Sequence, residues 1–160
     1  VRVQLATEAD ISAWIALAVE VEPLFGPHAH SADFQHVLRK NIARGSAFCV
    51  RADEGLPGTH LLGGLLFSAH PPHYKISWLA VAASARGQGI GRALVRHALS
   101  CVVAPAEISV ITFGEDVAEG EAARRLYQAL GFEPAQVVAP GPEGGSRQVF
   151  RRRIDAAHGL

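Results

Sequence analysis

The stretch best suited to chemistry is Arg86-Gly87-Gln88-Gly89-Ile90-Gly91. Its glycines stand at every second position. An apolar run, Ile76-Ser77-Trp78-Leu79-Ala80-Val81, leads into it, and a helix-like stretch from Ile90 to Val103 leads out. A strand that turns through glycines into a helix start exposes a row of free backbone N–H groups and the positive end of the helix dipole. Such a turn suits phosphate oxygens, because residues without side chains let a ligand approach the main chain. A tight turn that holds no ligand is the alternative. Two nucleotide signatures fail here. The dinucleotide pattern G-x-G-x-x-G, started at Gly87, would need a glycine where Arg92 stands, and no G-x-x-x-x-G-K-[ST] occurs.

Other side chains with reactive chemistry lie apart from this turn. His70 and His73 flank the start of the central apolar run, and Glu20 and Glu22 lie in a segment rich in Pro and Gly. Each is a candidate general base, directly or through water. Tyr127 shares a helical face with Ala123, Leu126 and Leu130, so packing alone would account for it.

The elements that must position these residues follow from periodicity. Val1–Ala6 alternates as a first strand. Thr7 and Asp10 form a relative of the capping box, opening a helix whose stripe is Ile11, Trp14, Ile15 and Ala18. Pro23, Gly26 and Pro27 break it, leaving Glu20–His30 as a loop. Ser31 caps a second helix that ends at Gly45. Strands follow over Ser46–Arg51, His60–Ala69 and Tyr74–Ala82, the last apolar on both faces as a central strand should be. Gly63-Gly64 marks a bulge or a close approach. After the glycine turn and its helix come a strand at Glu107–Phe113, an acidic loop, a helix at Glu121–Leu130, and strands at Phe132–Ala139 and Ser146–Ile154. This order predicts an α/β sheet covered by helices on both faces, with a parallel crossover around the glycines.

Composition narrows the function. At 160 residues the chain reads as one domain, 1–160. Fifteen basic residues balance fifteen acidic ones, which argues against a nucleic-acid partner. Arg151-Arg152-Arg153 reads as the solvated face of an edge strand. No apolar stretch is long enough to span a bilayer, so no membrane partner is expected. Cys49 and Cys101 fall in apolar patterns and read as small buried hydrophobes, with no metal site and no disulfide framework. With an N-terminus lacking the basic and apolar segments of a signal peptide, this fits a cytoplasmic location. The apolar late strands make a homodimer plausible.

Leu79-Ala80-Val81 followed by Arg86-Gly87-Gln88-Gly89-Ile90-Gly91 and Arg92-Ala93-Leu94-Val95 resembles the acetyl-CoA signature of the GNAT superfamily of N-acetyltransferases, Q/R-x-x-G-x-G/A. Ala123-Arg124-Arg125-Leu126-Tyr127-Gln128-Ala129-Leu130-Gly131-Phe132 resembles that family's A-x-x-L-Y-x-x-x-G-F segment. The resemblance implies the GNAT-like fold, a central mixed twisted sheet of about seven strands with helices on both faces. It implies acetyl-CoA as acyl donor, no metal, and an amine acceptor attacked directly. The amides from Gly87 to Arg92, with Arg86 and Arg92 adding charge, would hold the diphosphate. The main chain of Leu79, Ala80 and Val81 would hold the pantetheine arm, and Val81 N–H would polarise the thioester carbonyl. Tyr127 would protonate the leaving sulfur. The chain departs from the usual pattern in Ala83 and Ala85, and in Phe113-Gly114-Glu115-Asp116 where the family often has an Asn. A non-catalytic acyl-CoA-binding module on the same fold is the competing expectation.

Overall fold

Apolar residues two apart build a seven-stranded sheet in the order β1-β2-β3-β4-β5-β7-β6. The structure, a computed structural model, describes residues 1–156, so the last four residues of the expected 1–160 domain lie outside the described residues. The strands are β1 (Gln4–Leu5), β2 (Ala47–Arg51), β3 (Leu61–His70), β4 (His73–Val81), β5 (Ala106–Phe113), β6 (Glu133–Val138) and β7 (Arg147–Ile154). The helices are α1 (Ile11–Glu20), α2 (Glu22–Phe25), α3 (Ala32–Arg44), α4 (Ile90–Ser100) and α5 (Glu121–Ala129). β4 and β5 run parallel across the α4 crossover, and the other pairs are antiparallel.

Gly63 and Gly64 are where helices meet the sheet most closely. Successive strand residues point to opposite faces. A Cβ on Gly63 would stand 2.7 Å from Ile90 of α4, and one on Gly64 would stand 2.8 Å from Trp14 of α1. The pair therefore lets α4 and α1 press onto the two faces of one strand. The core continues through Leu65, Leu66, Leu94, Val95, Ile108 and Phe150, all fully buried.

Several expectations are corrected. The segment after α1 is not all loop: α1 ends at Glu20, close to the expected Val21, and Glu22–Phe25 forms the short α2, with Pro23 in its first turn, where its missing N–H costs nothing. The first strand is only two residues long, because pairing with β2 is confined to Gln4 and Leu5. β7 is not an edge strand. It lies between β5 and β6, and Arg152 Nη1 donates to Leu130 O at 2.9 Å while Arg151 Nη1 donates to Gln136 Oε1. Cys101 is exposed, because α4 closes at Ser100 and Cys101 turns away as its cap. Cys49 is buried as read, and burial pushes its thiol up to about 11.

Thr7 and Asp10 do more than start a helix. Asp10 Oδ2 accepts from Thr7 N at 2.8 Å and Arg51 Nη2 at 2.6 Å, and Oδ1 accepts from Arg51 Nε at 3.0 Å and Gly58 N at 2.9 Å. Asp10 and Arg51 are 0% and 4% exposed. This saturated pair ties the entry of α1 to β2 and to the β2–β3 turn. Among the described residues no helix is long and apolar enough to cross a membrane.

Candidate active site

The site begins with one extra residue in β4. Leu66 pairs with Trp78 and Phe67 with Ile76, so Ser77 has no partner on β3 and forms a bulge. Parallel pairing with β5 runs from His73↔Glu107 to Ile76↔Val110 and stops there. Beyond the bulge the strands part, and a slot of about 260 Å³ opens between Ser77–Leu79 and Ile111–Phe113. The bulge also changes faces: Ile76 looks toward the α4 side, whereas Trp78 packs against Trp14 of α1 at 5.7 Å. Ala82 N donates to Leu62 O on β3 at 2.8 Å. Backbone groups alternate along a strand, so the amides of Leu79 and Val81 turn the other way, toward the slot.

The turn after β4 continues this opening. Gly87 and Gly89 have φ of +77° and +81°, a conformation that other residues adopt at a cost. A Cβ on either would meet nothing within 4 Å. Packing does not demand glycine there, but the backbone does, and the space over it is open. Gly89 caps α4 with no side-chain hydrogen bond to its first turn. A groove of about 390 Å³ lies over this turn. Leu79, Ala80, Val81, Arg86, Gly87, Gly89, Ile90, Gly91 and Arg92 line it, facing Ala122, Ala123 and Leu126 of α5. Of the turn residues singled out from the sequence, Gln88 does not line it; its side chain is exposed. Leu79, Phe25, Phe113 and Ala123 border both cavities, so groove and slot are continuous.

Tyr127 stands in the wall of the slot, one helical turn from Ala123, which borders both. It is 3% exposed, its ring packs edge-on against Phe132 at 5.5 Å, and it lines the slot. The packing role and a place at the cavity therefore coexist. Burial pushes its phenol well above the ordinary value, so the hydroxyl keeps its proton.

The sequence profile of the acetyltransferase (GNAT) domain matches residues 44–134, more than half of the chain. The chain belongs to the GNAT acetyltransferase family. The matched span runs from the end of α3 to the start of β6 and so contains the bulge, the glycine turn and Tyr127. No curated protein matches the chain. Solved GNAT structures share its fold over nearly the whole length. A GNAT acetyltransferase of Bacillus cereus is 18% identical with a TM-score of 0.72, covering 95% of this chain and 96% of that one. The ribosomal-protein-S18-alanine N-acetyltransferase of Escherichia coli is 18% identical with a TM-score of 0.70, covering 98% and 96%. The PaiA N-acetyltransferase of Thermoplasma acidophilum, solved with coenzyme A, is 13% identical with a TM-score of 0.72, covering 96% and 98%.

In this GNAT domain the four candidate bases are placed elsewhere or otherwise engaged. His70 and His73 pair with each other at the far end of the β3–β4 hairpin. At about 3.3 Å per residue, His73 is about 20 Å along the strand from Leu79. Glu20 Oε2 accepts from Ala83 N at 2.9 Å and braces the turn. Glu22 Oε2 accepts from His28 N at 2.8 Å and Ala29 N at 3.2 Å, and these bonds hold its carboxyl below the ordinary value. None of the four lines the slot.

The slot of this GNAT domain is instead walled by aromatic side chains, two of them from the Glu20–His30 segment. Phe25, Trp78 and Phe113 line it, with Phe25 stacked on Phe113 at 5.8 Å and 7°. His28 locks the wall: Trp78 Nε1–H donates to its Nε2 at 3.1 Å, and its Nδ1 lies 2.9 Å from Gly26 O. Trp78 can only donate, so the proton of His28 sits on Nδ1. Arg147 lies 4.4 Å over the Phe113 ring and pairs with Glu143 at 2.6 Å. Asp116 accepts from Ser146 Oγ and, like Glu115, does not border the slot.

Proposed function

We propose that this single GNAT-type domain is an acetyl-CoA-dependent N-acetyltransferase that acts by direct attack of a neutral primary amine. The observation that carries the reading is the joining of groove and slot at Phe25, Leu79, Phe113 and Ala123, with Tyr127 in the slot wall. An open glycine cradle at the start of α4 fits a diphosphate, and the free edge of Leu79–Val81 fits an extended amide-bearing arm. Acetyl-CoA would supply an acyl group activated as a thioester. The amides from Gly87 to Arg92 hold its diphosphate, and helix-start contacts contribute about 0.3–2 kcal/mol each. Arg86 and Arg92 add charge at the rim. Val81 N–H donates to the carbonyl oxygen as negative charge grows there. The amine nitrogen forms the new C–N bond, the C–S bond breaks, and Tyr127 gives its proton to the sulfur. The proton lost by the nitrogen passes to water in the open slot and restores Tyr127.

Among the described residues no carboxylate lines the slot to take a proton from the entering ammonium. A lysine-like amine with a pKa of roughly 10.4 needs about 4–5 kcal/mol to be neutral at pH 7. The log of kcat/KM for the amine is therefore expected to rise with unit slope from pH 6 until the free amine's own pKa. A plateau well below that pKa would place a dedicated base on the protein.

Thiol release from acetyl-CoA, measured over a panel of amines beside calorimetric CoA binding, tests the whole reading. Turnover of any amine supports it. Tight binding without turnover favours the non-catalytic module. Gly89→Ala, which puts a side chain at a positive φ, is expected to cost about 1–2 kcal/mol and weaken CoA binding by about ten-fold. Unchanged binding would take this turn out of the phosphate site.

A further inference from the structure

We infer that the slot selects a small amine carried on an aromatic or compact apolar group, and rejects both polyamines and amines at the end of a polypeptide. The inference rests on the transferase reading and names its acceptor. Three observations converge. The partly exposed rings of Phe25 and Trp78 face the slot beside Phe113. Their orientation is fixed by the Trp78–His28–Gly26 hydrogen-bond chain and by Phe34, whose ring lies 5.6 Å from Trp78 and 4.8 Å from His28. Flat, immobile apolar walls favour a flat apolar guest.

Charge supplies the second observation. Among the described residues, Arg147 is the one charged side chain lining the slot, and Glu143 already neutralises it. Glu20 and Glu22 each spend Oε2 on backbone amides, and neither lines the slot. A polyamine would bring further ammonium groups to a wall with no free carboxylate, and burying them unpaired is unfavourable.

The third observation is a contact at the rim of the slot, between the loop that carries Phe25 and His28 and the loop that carries Glu143. A Cβ on Gly26 would stand 3.0 Å from Pro142 Cγ, so the loop after α2 and the β6–β7 loop are already in contact. A chain leaving the slot between these loops would have to part them.

Acetyl-CoA consumption with phenethylamine, butylamine, spermidine and a tripeptide beginning with Phe separates the outcomes. Phenethylamine is expected to exceed spermidine and the tripeptide in kcat/KM by about ten-fold or more, with butylamine between. Trp78→Ala should remove most of the advantage over butylamine while the KM for acetyl-CoA stays the same. Spermidine or the tripeptide matching phenethylamine would overturn the inference and leave the transferase reading standing. Turnover of no amine, with CoA bound, would overturn both.

Discussion

Tyr127→Phe is expected to lower kcat by about 10–100-fold, with CoA affinity and melting temperature close to wild type. The size follows from the leaving group. A thiol near pKa 8.5 departs as its anion at a cost of about 2 kcal/mol at pH 7, so losing its proton donor costs about 30-fold. Phe keeps the ring that packs against Phe132 and Phe150, which is why the fold should not notice. The buried phenol holds its proton well above its ordinary range, so Tyr127 contributes no alkaline limb below that range. Steady-state kinetics and calorimetry on the same preparation check this. An unchanged kcat would take Tyr127 out of the mechanism, and a fall in stability of similar size would reduce it to a packing residue.

Asp10→Ala is expected to destabilise the domain by about 3–5 kcal/mol, because it strands the buried Arg51 guanidinium without a partner. For a chain of this size that is a drop of about 6–20 °C in melting temperature. Asp10 also gives the domain an acid-sensitive element. Burial alone would raise its pKa, but the Arg51 hydrogen bond and the amides of Gly58 and Thr7 outweigh it and hold it at about 2, against the usual 3.8. A depressed carboxylate stabilises the fold fully above its unfolded pKa, and that contribution is lost as pH falls through the folded value. The wild type should therefore lose about 2 kcal/mol between about pH 5 and pH 2 through this group. Urea unfolding across that window, for wild type and Asp10→Asn, measures it. Equal acid slopes in the two proteins would contradict the assignment.

The glycine turn was legible because its requirement is local. Positive φ at Gly87 and Gly89 is a property of consecutive residues, and the strand and helix on either side carry their own periodicity. Tyr127 was legible by motif, although periodicity alone could not separate its packing role from its place at the slot. The slot was not legible from periodicity. It arises where β4 and β5 stop pairing after Ile76, and the bulge at Ser77 leaves the apolar alternation of β4 intact in sequence while reversing its faces. His70 and His73 stand beside the central strand in sequence but at its wrong end, which only the hairpin register reveals. Glu20 and Glu22 looked available because a sequence does not display the amides of Ala83, His28 and Ala29 that occupy them. The insertion of β7 between β5 and β6 is likewise a long-range choice, and it moved Arg151–Arg153 away from the edge.

Backbone-amide mapping by two-dimensional NMR during a CoA titration tests the central claim most directly, since that claim concerns particular N–H groups. The account predicts the largest shifts and new exchange protection at Gly87–Arg92 and at Leu79 and Val81, with little change at His70–His73. Saturable CoA binding that leaves the Gly87–Arg92 amides unmoved would contradict it.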